Sequence, residues 1–231
     1  IKGNIELTKV DADYPDNKLT GAVFEVYADT NGNGEFDKDD KLCGEMTELE
    51  GGVYQMTELR YGKYFVREKT APDGFVLDDG VYGVSIEENG KTYTVENKAG
   101  VGFINDAQKG SLKIVMTPSD GKVEGFSFRV TSADGYDQTF KTDKNGEIFI
   151  EGLRIGEYTV SEVSDSASAG YILPADKQAT VKTDSTTIVE MHNEFRDTPK
   201  TGDDFNLGLW VSLAAASVIG AGVLGFVGFK K

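Results

Sequence analysis

GNIELTKVD, Gly3 to Asp11, returns as GSLKIVMTP, Gly110 to Pro118. It is the first of four segments that recur in the same order. LTGAVFEV at Leu19 returns as VEGFSFRV at Val123, LRYGKYFVRE at Leu59 as LRIGEYTVSE at Leu153, and FIND at Phe103, more loosely, as MHNE at Met191. Four ordered matches describe two homologous modules, roughly 3–107 and 110–195. The chain accordingly divides into 1–108, 109–196 and a tail, 197–231. The first module is longer because of an insertion around residues 29–42.

Inside the repeats, apolar residues alternate. Ile5, Leu7 and Lys9 fall on one face of a strand, with Asn4, Glu6 and Thr8 on the other. Phe24 and Val26 alternate with Val23 and Glu25, and Phe126, Phe128 and Val130 keep the same rhythm. Period two over short runs, punctuated by Gly, Asp and Asn, reads as half-buried antiparallel strands. About seven such strands per module is the pattern of a β-sandwich. No stretch before residue 207 carries a long helical period. The expected fold class is all-β: two tandem immunoglobulin-like sandwiches followed by a C-terminal transmembrane helix.

The 231 residues hold 24 Lys and Arg against 39 Asp and Glu, a net charge of −15. That excess argues against nucleic acid as a partner, because phosphate binding needs concentrated cations. One cysteine, Cys43, excludes an intramolecular disulfide, and it is expected as a small buried apolar side chain. The one histidine, His192, stands on an expected terminal strand and reads as structural. YPDN at Tyr14 reads as a turn. No phosphate loop, Ser-His-Asp pattern or zinc spacing is present, so the chain is not expected to be an enzyme.

The insertion reads ADTNGNGEFDKDDKL. Counting Asp29 as the first position, Asn31, Asn33, Gly34, Asp37 and Asp40 fall at EF-hand-loop spacing, and Glu35 stands where a backbone carbonyl serves as ligand. The spacing resembles dockerin loops and predicts one Ca²⁺ held by hard oxygens. A solvated Asn/Gly/Asp hairpin loop is the plain alternative.

The tail carries TPKTG, Thr198, Pro199, Lys200, Thr201 and Gly202, then an uncharged run from Leu207 to Phe229, then Lys230-Lys231. About 20 apolar residues span a hydrocarbon core, and terminal lysines suit its cytoplasmic side. Pro199 fixes its own φ and biases Thr198 away from helix, so the pentapeptide should be extended. The order resembles an LPxTG sorting signal, with Thr198 in place of Leu. The resemblance implies cleavage by a sortase between Thr201 and Gly202. Thr201 would then join an amine of a peptidoglycan precursor or another pilin subunit. The membrane is met only through the tail, before cleavage.

GNIELTKVD, LTGAVFEVY and YFVREKTAPDGF resemble the B-type, prealbumin-like repeat domains of Gram-positive collagen-binding adhesins and SpaA-like pilins. The most specific piece is Tyr64 to Glu68 followed by Ala71 to Phe75, similar to the family's YxVxExxAPxGY box. The second module keeps Tyr158 to Glu162 but has SAGY, Ser168 to Tyr171, in place of APxGY. The resemblance implies an intramolecular isopeptide bond from Lys9 to Asn105, assisted by Glu68. Lys9 also lies in the inward rhythm, where a charged amine is costly and burial favours its neutral form. In the second module Glu162 and Asn193 occupy the matching places, but Met116 replaces the lysine. That site should be unlinked, since a thioether cannot attack an amide, and Lys113 faces the other way.

The chain is thus expected to be a secreted, wall-anchored stalk or pilin on a Gram-positive surface. It reads as the C-terminal part of a longer precursor, since neither initiator Met nor signal pattern opens it. Two alternatives stand beside that reading: an adhesin whose own domains bind host extracellular matrix, and the anchor of a secreted enzyme.

Overall fold

A computed structural model describes residues 1–196. TPKTG and the apolar run 207–229 lie outside the described residues. The first module holds β1 (Lys2–Asp11), β2 (Val23–Ala28), β3 (Lys41–Glu45), β4 (Thr47–Glu48), β5 (Val53–Arg60), β6 (Gly62–Thr70), β7 (Val81–Ile86), β8 (Thr92–Thr94) and β9 (Phe103–Asn105). The second holds β10 (Lys109–Met116), β11 (Ser127–Ser132), β12 (Asp137–Lys141), β13 (Glu147–Arg154), β14 (Gly156–Glu162), β15 (Tyr171–Ile172), β16 (Lys177–Val181), β17 (Thr186–Met191) and β18 (Glu194–Phe195). Among the described residues the only helical piece is a 3₁₀ turn, Glu50–Gly52, and no helix is long and apolar enough to cross a membrane.

Each module is two sheets face to face. In the first, the sheets run β4-β5-β1-β8, with β9 also on β1, and β3-β2-β6-β7. In the second they run β13-β10-β17 and β12-β11-β14-β16, with β15 and β18 forming a separate two-stranded ribbon. The repeat reaches down to irregularities. The β1–β5 ladder shifts register between Gly3 and Ile5, and the β10–β13 ladder shifts between Gly110 and Leu112. Glycine is needed at both places because the backbone passes close by. An added Cβ would stand 2.8 Å from the Lys91 carbonyl at Gly3 and 2.1 Å from the Lys182 carbonyl at Gly110.

The inward faces follow the alternation. Ile5, Leu7, Phe24, Val26, Val66 and Phe103 are fully buried in the first core. Leu112, Ile114, Phe128, Val130, Val160 and Met191 are their counterparts in the second. Lys113 faces outward as expected and pairs with Glu147 at 2.8 Å. Tyr14 accepts the Asn17 amide at 2.8 Å, closing the YPDN turn.

One expectation needs correction. Cys43 is exposed, not buried. It lies on β3, a strand at the edge of its sheet whose ladder to β2 slips between Val26 and Tyr27, so inward alternation is lost there. Glu25 sits on the outer face yet is only 5% exposed. Arg67, Lys69 and the Tyr27 hydroxyl close over it, at 2.8, 3.2 and 2.7 Å.

Candidate functional site

First and last strands of the first module lie side by side and parallel. Lys9 pairs with Phe103, Val10 with Ile104 and Asp11 with Asn105. Period two therefore sends Lys9 and Asn105 to the same face, inward. Glu68 comes from β6 in the opposite sheet. The three side chains meet in the core, with Lys9 at 0% and Glu68 and Asn105 at 3% exposure.

Lys9 Nζ lies 3.6 Å from Glu68 Oε1, donates to the Phe103 carbonyl at 3.2 Å and stands 5.1 Å from the Phe103 ring centre. Asn105 Nδ2 donates to Glu68 Oε1 and Oε2 at 3.0 and 2.9 Å. Asn105 Oδ1 is buried with no hydrogen-bond partner. Burial drives both ionisable groups toward neutrality. It lowers the Lys9 ammonium to about 8 against the pull of Glu68, and it raises the Glu68 carboxyl against its hydrogen bonds and Lys9. A half-turn of the Asn105 amide would set the orphaned Oδ1 against a protonated Glu68, which then has a proton to donate. The set therefore combines an amine that loses its charge readily, a carboxylic acid and an amide carbonyl.

The second module repeats the frame without the amine. Met116 pairs with Met191 as Lys9 pairs with Phe103, and Asn193 follows two residues later. Asn193 Nδ2 donates to Glu162 Oε1 at 2.7 Å, leaving Asn193 Oδ1 and Glu162 Oε2 buried and unpartnered. Met116, 1% exposed, fills the lysine's place. His192 is exposed, just past β17, with Nδ1 3.5 Å from the Thr117 hydroxyl.

The insertion folds as a chain of side-chain-to-backbone turns. Asp29 accepts the amides of Gly32 and Gly34, Asn31 that of Asn33, Asn33 that of Glu35, and Asp37 that of Asp39. Asn31 and Asn33 both donate to Asp37 Oδ2, at 3.0 and 2.7 Å. Asp40 Oδ2 accepts the Asp37 amide, whereas its Oδ1 is buried and unpartnered. Among the described residues no three His, Cys, Asp or Glu side chains are grouped to hold a metal. A cation in this loop would need the Asn31 and Asn33 oxygens and the Glu35 carbonyl as well. The loop is pinned from below: Phe36 packs edge-on against Tyr27 and Phe65, and Lys63 Nζ donates to the Gly34 carbonyl at 2.6 Å.

One constellation escaped the sequence reading. The Arg154 guanidinium grips Asp11 with both NH groups, at 2.7 and 2.8 Å, reaches Asp13 at 3.0 Å and lies over the Tyr14 ring. Lys109 adds a contact to Asp13 at 3.0 Å. These pairs tie the modules together beside a cleft of about 630 Å³. The available signal was Asp11, an acid in the inward register of Ile5, Leu7 and Lys9, with Asp13 just beyond the strand.

The SpaA prealbumin-like fold domain matches the sequence twice, over residues 3–99 and 110–195. The chain belongs to this family of prealbumin-like domains. No curated protein matches it. Among solved structures it resembles the Bacillus anthracis TIE protein, with a TM-score of 0.63 and 24% identity over 85% of this chain and 34% of that one. The chain thus spans about a third of that protein's length. The C-terminal fragment of the pilus adhesin SpaC from Lactobacillus rhamnosus GG matches with a TM-score of 0.52 and 12% identity, over 84% of this chain and 98% of that one. The shaft pilin spaA of the same organism matches at 0.37 and 15%, over 84% and 98%.

Proposed function

We propose that the chain is a structural stalk or pilin segment of a Gram-positive surface, stiffened in its first module by a Lys9–Asn105 isopeptide bond. The observation that carries this is the convergence of Lys9, Glu68 and Asn105 in a closed core with burial favouring neutral amine and neutral acid. Lys9 Nζ attacks Asn105 Cγ while Glu68 protonates the carbonyl oxygen. The Nζ–Cγ bond forms and the Cγ–Nδ2 bond breaks. Nδ2 leaves as ammonia, taking a proton from the Lys9 amine through Glu68, and no oxidant or cofactor is consumed. The second module stays unlinked because Met116 has no nucleophile.

Intact mass tests this. The chain should be lighter than its sequence by one ammonia, and digestion should release a branched Lys9–Asn105 peptide. Full theoretical mass rejects the bond, and loss of two ammonias rejects the reading of Met116.

Attachment follows from TPKTG: a sortase cuts after Thr201 and joins it to a peptidoglycan precursor or another pilin subunit. C-terminal peptides from digested walls should end at Thr201 and carry a wall or pilin amine; a mature chain still ending at Lys231 rejects anchoring. The insertion is assigned one Ca²⁺, supported by its spacing and by the orphaned Asp40 oxygen. The ion would replace the Asn31 and Asn33 amides as the partner of Asp37.

A further inference from the structure

A buried triad must be held in register while the amine reaches the amide, and a network of three polar side chains flanks it from the side away from β1. Asn97 clamps the residue before Asn105 as an extra strand would: its Oδ1 accepts the Ile104 amide at 2.6 Å and its Nδ2 donates to the Ile104 carbonyl at 2.8 Å. The same Nδ2 donates to Asp78 Oδ2 at 2.6 Å. The Asp78 carboxylate also accepts the Tyr82 hydroxyl, at 3.0 and 2.9 Å, and the Gly80 amide at 2.7 Å. Its own main-chain amide donates to Glu68 Oε2 at 2.9 Å. Tyr82 closes the ring by packing edge-on against Phe103, the residue paired with Lys9. A cleft of about 260 Å³ lined by Asp78, Tyr82, Asn97 and Asn105 opens beside the amide.

The second module serves as an internal control. It has no lysine at the site, and it lacks this network too. With Gly170 at the place of Gly74, the residue that corresponds to Asp78 is Pro174, which has no carboxylate. β17 runs unbroken to Met191, with no counterpart of the 95–102 loop that separates β8 from β9 and carries Asn97. The network and the complete triad occur together.

We propose that Asn97 and Asp78 are positioning residues for the Lys9–Asn105 reaction, Asn97 aligning the strand that presents Asn105 and Asp78 orienting the Glu68 carboxyl beneath its own negative charge. The proposal rests on the isopeptide reading above. Asp78 acts by charge as well as by geometry: its carboxylate favours the protonated forms of both Glu68 and Lys9. The other groups around them are Tyr54 from β5, Tyr82 on β7, Asp79, Asp106 at the cleft, and Asp11, whose charge Arg154 matches. Bond formation requires one proton to be shared between Lys9 and Glu68, so its rate should be bell-shaped in pH, failing in acid when both are protonated and in alkali when neither is. Removing the Asp78 charge lowers both limits, and the bell moves toward acid.

The test uses the full chain, isolated unlinked from urea-solubilised inclusion bodies, diluted into buffers across the pH range and quenched for intact mass. Asn97→Ala should slow the loss of ammonia about tenfold, the equivalent of one or two hydrogen bonds. Asp78→Asn, which keeps the main-chain donor and an acceptor for Tyr82, should displace the whole bell toward acid. A purely structural role would change the rate and leave the bell in place; that result, or unaltered kinetics in both variants, overturns the proposal. Circular dichroism checks folding, and if Asn97→Ala does not fold, Asp78→Asn decides alone. An unaltered chain that never loses ammonia overturns the bond itself, which distinguishes that failure from this one.

Discussion

Lys9 illustrates how one side chain decides the character of a module. Its stem and amine are wholly enclosed, which an unpaired ammonium would make costly. Met116 shows the alternative at the equivalent place, an apolar chain of similar length that packs at 1% exposure. Lys9→Met therefore asks what the bond alone contributes. The loop between Lys9 and Asn105 is nearly the whole module. On the chain-entropy account of cross-links, closing a loop of that size is worth about 4.7 kcal/mol. Urea unfolding of Lys9→Met should show the first module losing stability of that order, with the transition of the second module unmoved as reference. A change below about 1 kcal/mol, the scale of a single hydrogen bond, would mean that the cross-link contributes nothing of consequence. Glu68→Gln should retain the full theoretical mass, since an amide cannot shuttle the proton.

At the scale of elements, the insertion between β2 and β3 is a self-contained test. Its aromatic anchor Phe36 and the Lys63 contact hold the loop on the sheet whether or not an ion is present. Calcium should then bind with measurable heat in calorimetry and little change in strand content, and Asp29→Ala or Asp37→Ala should abolish the heat. No heat at millimolar calcium would leave a plain hairpin loop. The strands themselves were legible because a sandwich writes period two into its inward faces: Ile5, Leu7 and Lys9 were placed by alternation alone. Lys9, Glu68 and Asn105 were legible only through the family pattern, since alternation gives a face and not a meeting point between two sheets. Asn97 and Asp78 were not legible. They act through a loop that substitutes for a strand, and loop geometry leaves no periodic trace. Cys43 was misplaced for a related reason, because alternation fails on an edge strand with a slipped ladder. Glu25 was burial by lid, with the covering charges arriving from β6.

For the whole molecule, the decisive feature is that the first strand of each module runs parallel to a strand near its end, β1 to β9 and β10 to β17. A chain held at its two ends pulls such a pair in opposite directions along their length. The ladder is loaded in shear, with its hydrogen bonds strained together and not unzipped in turn. In the first module, with the proposed cross-link in place, force entering β1 would cross from Lys9 to Asn105 and leave, so residues 10–104 would not feel it. In the second, Met116 offers no such crossing, and force entering β10 is carried to β17 by hydrogen bonds, from Ser111 with Thr186 to Met116 with Met191. Single-molecule extension of the chain should accordingly give one unfolding event. It should release residues 110–195, roughly 290 Å of contour at full extension. Two events, the second of similar length, would show the first module to be unlocked. A chain that shows one event is a rigid link in series with an extensible one: the first module transmits tension, while the second yields, dissipates work and refolds once the load is gone.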